Sequence, residues 1–216
     1  MAQELSAVVI DDHPAVRDGV AQWLAAGLPA IRVVATGGDV GAAWVGAGAG
    51  ADVVVLDLHL GGPAPAESDL ARLVRAGRRV VVYSMRADAA TALTCLEAGA
   101  LSYLTKAEGA THLRAAVAAA AAGRTYTPPS LAGVLAGDSS PRRPVLSARE
   151  TEVLIEWFQS ESKEFVAQRL GISLSTVNAH LEHIRVKYAT IGREAPTKAA
   201  LVARALQDGL VRLEDL

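Results

Sequence analysis

The sequence predicts an α/β fold, a doubly wound five-stranded parallel sheet of order 2-1-3-4-5. A small all-α domain of four helices, with a helix-turn-helix layout, is expected to follow it. Three observations carry this expectation. Over residues 1–123, apolar runs of strand length alternate with helical patterns. A stretch holding Pro128, Pro129, Pro141 and Pro144 then breaks the alternation. From Val145 every pattern is helical. The expected division is therefore an α/β domain at 1–123, a linker at 124–144 and a helical domain at 145–216.

The strands expected are Ala7–Ile10, Ile31–Thr36, Ala51–Leu56, Arg79–Ser84 and Ser102–Thr105. Several are unbroken Val/Ile/Leu runs, which suits parallel strands covered on both faces. His13–Ala26 places Val16, Val20, Trp23 and Leu24 on one helical face, with Pro14 in the first turn. Asp88–Ala98 and Ala110–Ala122 read as two further helices, the second stopped by Gly123. A short helix is expected around Leu131–Leu135, inside the linker. In the last third, Ser147 and Glu150 form a capping box opening a helix to about Phe158. Helices then follow at Lys163–Leu170, from Ser173 to Tyr188, and from Pro196 to Gly209. Two short helices joined by a tight turn are the helix-turn-helix layout.

Composition narrows the class. The 216 residues carry 21 bases and 23 acids, a net charge of −2, which excludes a uniformly basic coat and a polyacidic tail. Hydrophobic residues make up 51% and charged residues 20%, as in a folded chain. The longest purely apolar run, Ala115–Ala122, is far below the ~20 residues that span a bilayer. Met1–Glu4 shows no basic or apolar leader, so a cytoplasmic protein with no membrane partner is expected. The single Cys95 excludes an intrachain disulfide and a multi-thiolate zinc site, and reads as a small apolar residue. Charge is uneven: residues 1–123 hold 12 acids and 9 bases, whereas residues 162–204 hold 7 bases and 3 acids. That basic segment fits a nucleic-acid-binding module.

Five residues fall at the carboxyl ends of strands. Asp11 and Asp12 follow the first, Asp57 the third, Ser84 ends the fourth and Lys106 follows the fifth. In the expected order the first and third strands are neighbours, so the three carboxylates converge in one crevice. Clustered carboxylates repel unless a cation compensates, and oxygen ligands suit Mg²⁺. A hydroxyl and an ammonium beside them make a phosphoryl pocket, with an Asp oxygen attacking in line. The plainer reading of Asp11 and Asp12 is that they cap the next helix.

These residues carry a resemblance. Val-Val-Ile-Asp11-Asp12-His-Pro, Val-Val-Leu-Asp57-Leu-His-Leu, Ser84 and Tyr103-Leu-Thr-Lys106 resemble the receiver domain of two-component response regulators. Leu146-Ser-Ala-Arg-Glu-Thr-Glu-Val-Leu154 through Ser173-Leu-Ser-Thr-Val-Asn-Ala-His180 resembles the LuxR-type helix-turn-helix of the NarL/FixJ family. The resemblance covers almost the whole chain. It implies that Asp57 is the phosphoacceptor and that Asp12 and Asp57 bind Mg²⁺. Asp11 would act through water, and the backbone carbonyl of His59 would be a further ligand. Lys106 would pair with the phosphoryl group, and Ser84 would bond to it. Tyr103 would then change rotamer and alter the surrounding surface. The implied partners are a sensor histidine kinase, promoter DNA, a second copy of the chain on activation and RNA polymerase. Lys106 is followed by Ala107, where other receivers commonly have proline.

In the third C-terminal helix, Val177, Leu181, Ile184 and Tyr188 form the expected buried stripe. The opposite side offers Ser175, Asn178, Ala179, Glu182 and Arg185 to DNA. Asn reads adenine bidentately, Arg reads guanine, Glu accepts from cytosine and Ala touches a thymine methyl. Lys163, Thr176, Lys187 and Arg193 are the expected phosphate contacts. Family members commonly carry a basic residue where Asn178 stands, and often another at Glu182. The connection Ala189–Pro196 is longer than usual, and the last helix, with Leu201, Val202, Ala205 and Leu206, resembles the family's dimerisation helix.

The expected function is a DNA-binding transcriptional regulator controlled by phosphorylation of Asp57, and not an enzyme beyond its own phosphoryl transfer and dephosphorylation. Three rival readings bear on this expectation. Haloacid-dehalogenase-like phosphatases need a second Asp two positions after the nucleophile, where His59 stands here. A dinucleotide fingerprint must follow a strand, whereas Gly46–Gly50 precedes one. A constitutive regulator with an idle receiver, tuned by a protein partner, is the third.

Overall fold

The computed structural model describes residues 5–27, 29–61, 67–129, 131–132 and 143–216. The chain forms two compact units, Met1–Leu131 and Ala132–Leu216. The first begins with β1 (Leu5–Ile10), α1 (Pro14–Ala25), β2 (Ile31–Gly37), a 3₁₀ turn at Val40–Ala43 and α2 (Gly46–Ala49). It continues with β3 (Val53–Leu56), α3 (Glu67–Arg75), β4 (Val80–Ser84), α4 (Ala89–Glu97), β5 (Ser102–Thr105) and α5 (Ala110–Ala121).

The five strands pair in the order β2-β1-β3-β4-β5, all parallel. The β3 and β4 strands are buried at every position, as their unbroken aliphatic runs require. Val9, Val55, Val81 and Leu104 meet Leu24, Leu113 and Val117 in the core. Cys95 is buried in α4.

Two helices escaped the periodicity reading. The α3 helix carries Leu70 and Leu73, both fully buried, just after a Gly/Pro cluster that masks its start. The α2 helix is a single turn of Gly and Ala, weak in intrinsic propensity. A distant side chain braces it. Arg78 donates to the carbonyls of Ala43 (2.6 Å), Gly48 (2.8 Å) and Ala51 (3.2 Å). The short helix expected at Leu131–Leu135 lies largely outside the described residues.

The second unit contains α6 (Ala148–Gln159), α7 (Lys163–Leu170), α8 (Leu174–Thr190), α9 (Lys198–Gln207) and a 3₁₀ turn at Leu213–Asp215. Ser147 and Glu150 form the expected capping box. The α7 helix ends at Gly171 with φ of +62°, a left-handed cap that favours glycine, and Ser173 then caps α8. Val177, Leu181, Ile184 and Tyr188 are the buried stripe of α8. Leu201, Val202, Ala205 and Leu206 of α9 are all buried.

Candidate functional site

The acidic site follows from strand register. Ile10 of β1 pairs with Leu56 of β3, and the Asp57 amide donates to the Ile10 carbonyl at 2.9 Å. Asp11 and Asp57 therefore leave adjacent strands side by side, 2% and 3% exposed. Across the sheet, the Lys106 amide donates to the Ser84 carbonyl at 2.7 Å. Lys106 Nζ then reaches Asp11 Oδ2 and Asp57 Oδ2, each at 2.7 Å. Burial by itself lowers the Lys106 pKa, but its hydrogen bonds to the two carboxylates outweigh that and push it up. The ammonium is held charged.

Asp11 and Asp12 do not cap α1. The N-cap is His13, which makes no side-chain cap bond. Asp11 Oδ1 instead accepts from the His13 amide at 2.9 Å, and Arg17 donates to the Asp11 carbonyl at 2.6 Å. Asp11, Asp12, His13 and Asp57 can each bring one ligand atom within 4.8 Å of the others. The sequence reading missed His13 as a member of this group. Its Nδ1 lies 2.6 Å from Asp12 Oδ1. His59 lies in the loop leaving β3, with its side chain exposed.

Among the described residues, one buried carboxylate oxygen here, Asp57 Oδ1, accepts no hydrogen bond. Buried acceptors without donors are costly, and a cation satisfies them. The acidic cluster thus fits a metal ion. Because Lys106 takes only Oδ2 of Asp57, Oδ1 keeps the lone pairs that a metal ligand or nucleophile needs.

Beside this cluster, Ser84 is fully buried and its Oγ accepts from the Arg86 amide at 3.3 Å. Tyr103 is turned inward, 1% exposed, and its hydroxyl donates to the Arg86 carbonyl at 2.8 Å. Burial raises its phenol pKa to about 12. Ser84 and Tyr103 therefore hold the same loop from two sides. A cavity of about 320 Å³ opens beside Lys106, between α1 and Tyr83 and Met85.

The second candidate surface is α8. Ser175, Asn178, Ala179 and Glu182 are all exposed, opposite the buried stripe. His183 and Val186 extend this face, and the sequence reading missed both. The continued spacing from Ala179 and Glu182 was the available signal. Arg185 is half-buried, 5.8 Å from the centre of the Trp157 ring and 3.6 Å from Glu182. Thr176 Oγ1 lies 2.7 Å from the Ser173 hydroxyl. Lys163 donates to Asn178 Oδ1 at 2.8 Å.

Two expected phosphate contacts are engaged inside the domain. Arg193 is 6% exposed, its guanidinium 2.6 Å from Asp208 Oδ1 and 3.0 Å from Gln207 Oε1. A buried, paired guanidinium does not reach a DNA backbone, so the phosphate expectation for Arg193 is corrected. Lys187 donates to Glu150 Oε2 at 2.6 Å and to the Val145 carbonyl at 3.0 Å. Its ammonium is largely spent on the α6 capping box.

No described helix is long and apolar enough to cross a membrane. The family model for the response regulator receiver domain matches residues 7–118. The model for bacterial regulatory proteins of the luxR family matches residues 144–195. The probable transcriptional regulatory protein NarL of Mycobacterium tuberculosis is 33% identical over 210 residues, covering 94% of this chain and 97% of the relative. The nitrate/nitrite response regulator NarL of Escherichia coli is 32% identical, covering 83% and 87%. Among solved structures, the response regulator ChrA of a heme-sensing two-component system is 33% identical, with a TM-score of 0.51 over 96% of this chain and 99% of that one. RcsB of Salmonella typhimurium, 22% identical with a TM-score of 0.56 over 92% and 97%, shares the fold. The chain belongs to the NarL/FixJ family of two-component response regulators, a receiver domain joined to a LuxR-type DNA-binding domain.

Proposed function

We propose that this regulator is switched by phosphoryl transfer from a sensor histidine kinase to Asp57, and that phosphorylation promotes dimerisation and promoter binding. The observation that carries the proposal is the state of the Asp57 carboxylate. It is buried, one oxygen is held by Lys106, and the other is without a donor. In the transfer, an Asp57 oxygen forms a bond to phosphorus as the P–N bond to the kinase histidine breaks. Lys106 then exchanges its carboxylate contact for a phosphoryl oxygen, which its charge favours. Mg²⁺, which would be held by Asp12, Asp57 and the His59 carbonyl, with Asp11 acting through water, would supply positive charge that neutralises the phosphoryl oxygens.

Ser84 contributes the hydroxyl that meets the acyl phosphate. Its present bond to the Arg86 amide would then be exchanged, moving the loop on which Tyr103 rests. One new charge thereby biases a two-state element. In the output domain, Ser175, Asn178, Ala179, Glu182 and Arg185 are the base-reading set, with Lys163 and Thr176 at its edge. The assigned parts are a receiver at 1–123, a linker at 124–144 and a DNA-binding domain at 145–216, acting in the cytoplasm.

Solution mass by light scattering tests the reading, with and without beryllofluoride and Mg²⁺, on wild type and Asp57→Asn. A monomer-to-dimer shift in wild type alone supports it. Stoichiometric labelling of Asp57→Asn by a small phosphodonor would refute the assignment of the acceptor.

A further inference from the structure

We infer that Lys163 and Asn178 act as one reading unit in the major groove, and that this unit selects guanine instead of the adenine expected of an asparagine. Lys163 is the first residue of α7, and Asn178 is exposed in the second turn of α8. Lys163 Nζ donates to Asn178 Oδ1 at 2.8 Å. An ammonium only donates, so the amide atom facing it must be the oxygen. The amide nitrogen, with both its hydrogens, then points away from the lysine.

Bidentate adenine reading needs both ends of the amide. Oδ1 must accept from the adenine N6 amino group while Nδ2 donates to N7. Here Lys163 takes one lone pair of Oδ1 and places a positive charge beside the other, which disfavours an amino donor there. The pair therefore offers one ammonium and one amide, both donors. The guanine major-groove edge offers two acceptors, N7 and O6, and matches this pattern. Cytosine presents an amino donor there, and thymine a single acceptor beside a methyl group. The two helices are held in register by the Gly171 cap, so the lysine is aimed from a fixed backbone.

The test is selection of bound sites from a random duplex library by the full chain, with and without beryllofluoride and Mg²⁺. Wild type is expected to enrich guanine over adenine by about tenfold at one position of each half-site. Lys163→Met frees Oδ1, and that position should move to adenine. Asn178→Lys should keep guanine, and Asn178→Ala should lose the preference. Both side chains lie at the surface, so these variants are expected to fold. Enrichment of adenine by wild type, at the position that Asn178→Ala loses, would overturn the inference. So would a Lys163→Met protein that binds all duplexes more weakly with its preference unchanged, since that is a phosphate contact only. If no protein enriches any sequence, the assignment of α8 as the reading helix falls, and the inference with it.

Discussion

Replacing Arg193 with methionine should damage the DNA-binding domain far more than a surface arginine would. Arg193 bridges the end of α8 to the end of α9. Its guanidinium contacts Asp208 and Gln207 and lies 5.7 Å from the centre of the Tyr188 ring. The Tyr188 hydroxyl donates to the other oxygen of Asp208 at 2.8 Å. Asp208 is 4% exposed and caps the C-terminus of α9, where the helix dipole disfavours a negative charge. Arg193→Met leaves that carboxylate buried without its guanidinium. Breaking a buried pair in this way costs about 3–5 kcal/mol. Hydrogen exchange of the α8 and α9 amides reads the loss locally, as a fall in protection of roughly a hundredfold or more. Adding Asp208→Leu should recover much of it, because the unpaired charge goes as well. The salt dependence of DNA binding, measured on the fraction that remains folded, should keep its slope. Protection lost by less than threefold, or a slope reduced by one phosphate contact, would refute the buried-pair account and restore Arg193 as a backbone contact.

Other predictions concern different parts of the chain. Burial raises the Glu150 pKa, but Lys187 and the Ser147 amide outweigh burial and hold it at about 2. A depressed carboxylate stabilises the fold above its unfolded value of 4.5 and stops doing so as pH falls towards 2. Urea titrations should therefore show wild type losing stability across that window more steeply than Glu150→Gln. Gly48→Ala would drive a Cβ into the Ala42 carbonyl oxygen, so it should destabilise the receiver by about 1–3 kcal/mol or more. Gly171→Ala meets open space and should cost only the backbone strain of about 1–2 kcal/mol, both read by denaturant midpoints. Lys106→Met removes the cation shared by Asp11 and Asp57, so Mg²⁺ should bind that variant more tightly, by about tenfold, in a calorimetric titration.

The sheet and the acidic crevice were legible because both follow from local pattern plus one topological rule. Strand-length aliphatic runs gave the strands to within two residues, and the order 2-1-3-4-5 then brought Asp11 beside Asp57. What escaped depends on contacts between residues far apart in sequence. The α2 turn has no periodicity of its own and is braced by Arg78, about 30 positions from the carbonyls it holds. Arg193 looked like a phosphate contact because a sequence window displays its charge and conceals Asp208, 15 residues on. His13 was hidden differently. In a capping reading the residue between Asp12 and Pro14 is a spacer, whereas its ring turns back onto the carboxylates. Asn178 could be placed on the exposed face of α8, but the oxygen it presents is fixed by a lysine on another helix.

The staple between Lys187 and Val145 bears on how the output domain responds to being pulled. Val145 is where the chain enters this domain, and its carbonyl is held by a side chain of α8 itself. The same ammonium grips Glu150 in the first turn of α6. A tether under tension at Pro144 therefore loads α8 directly, ahead of any turn of α6. In mechanical terms the domain entrance is hung from α8 near its C-terminal end, on the same helix that carries the exposed Asn178 and Ala179 two to three turns away, so the entering strand and that exposed face share one short lever.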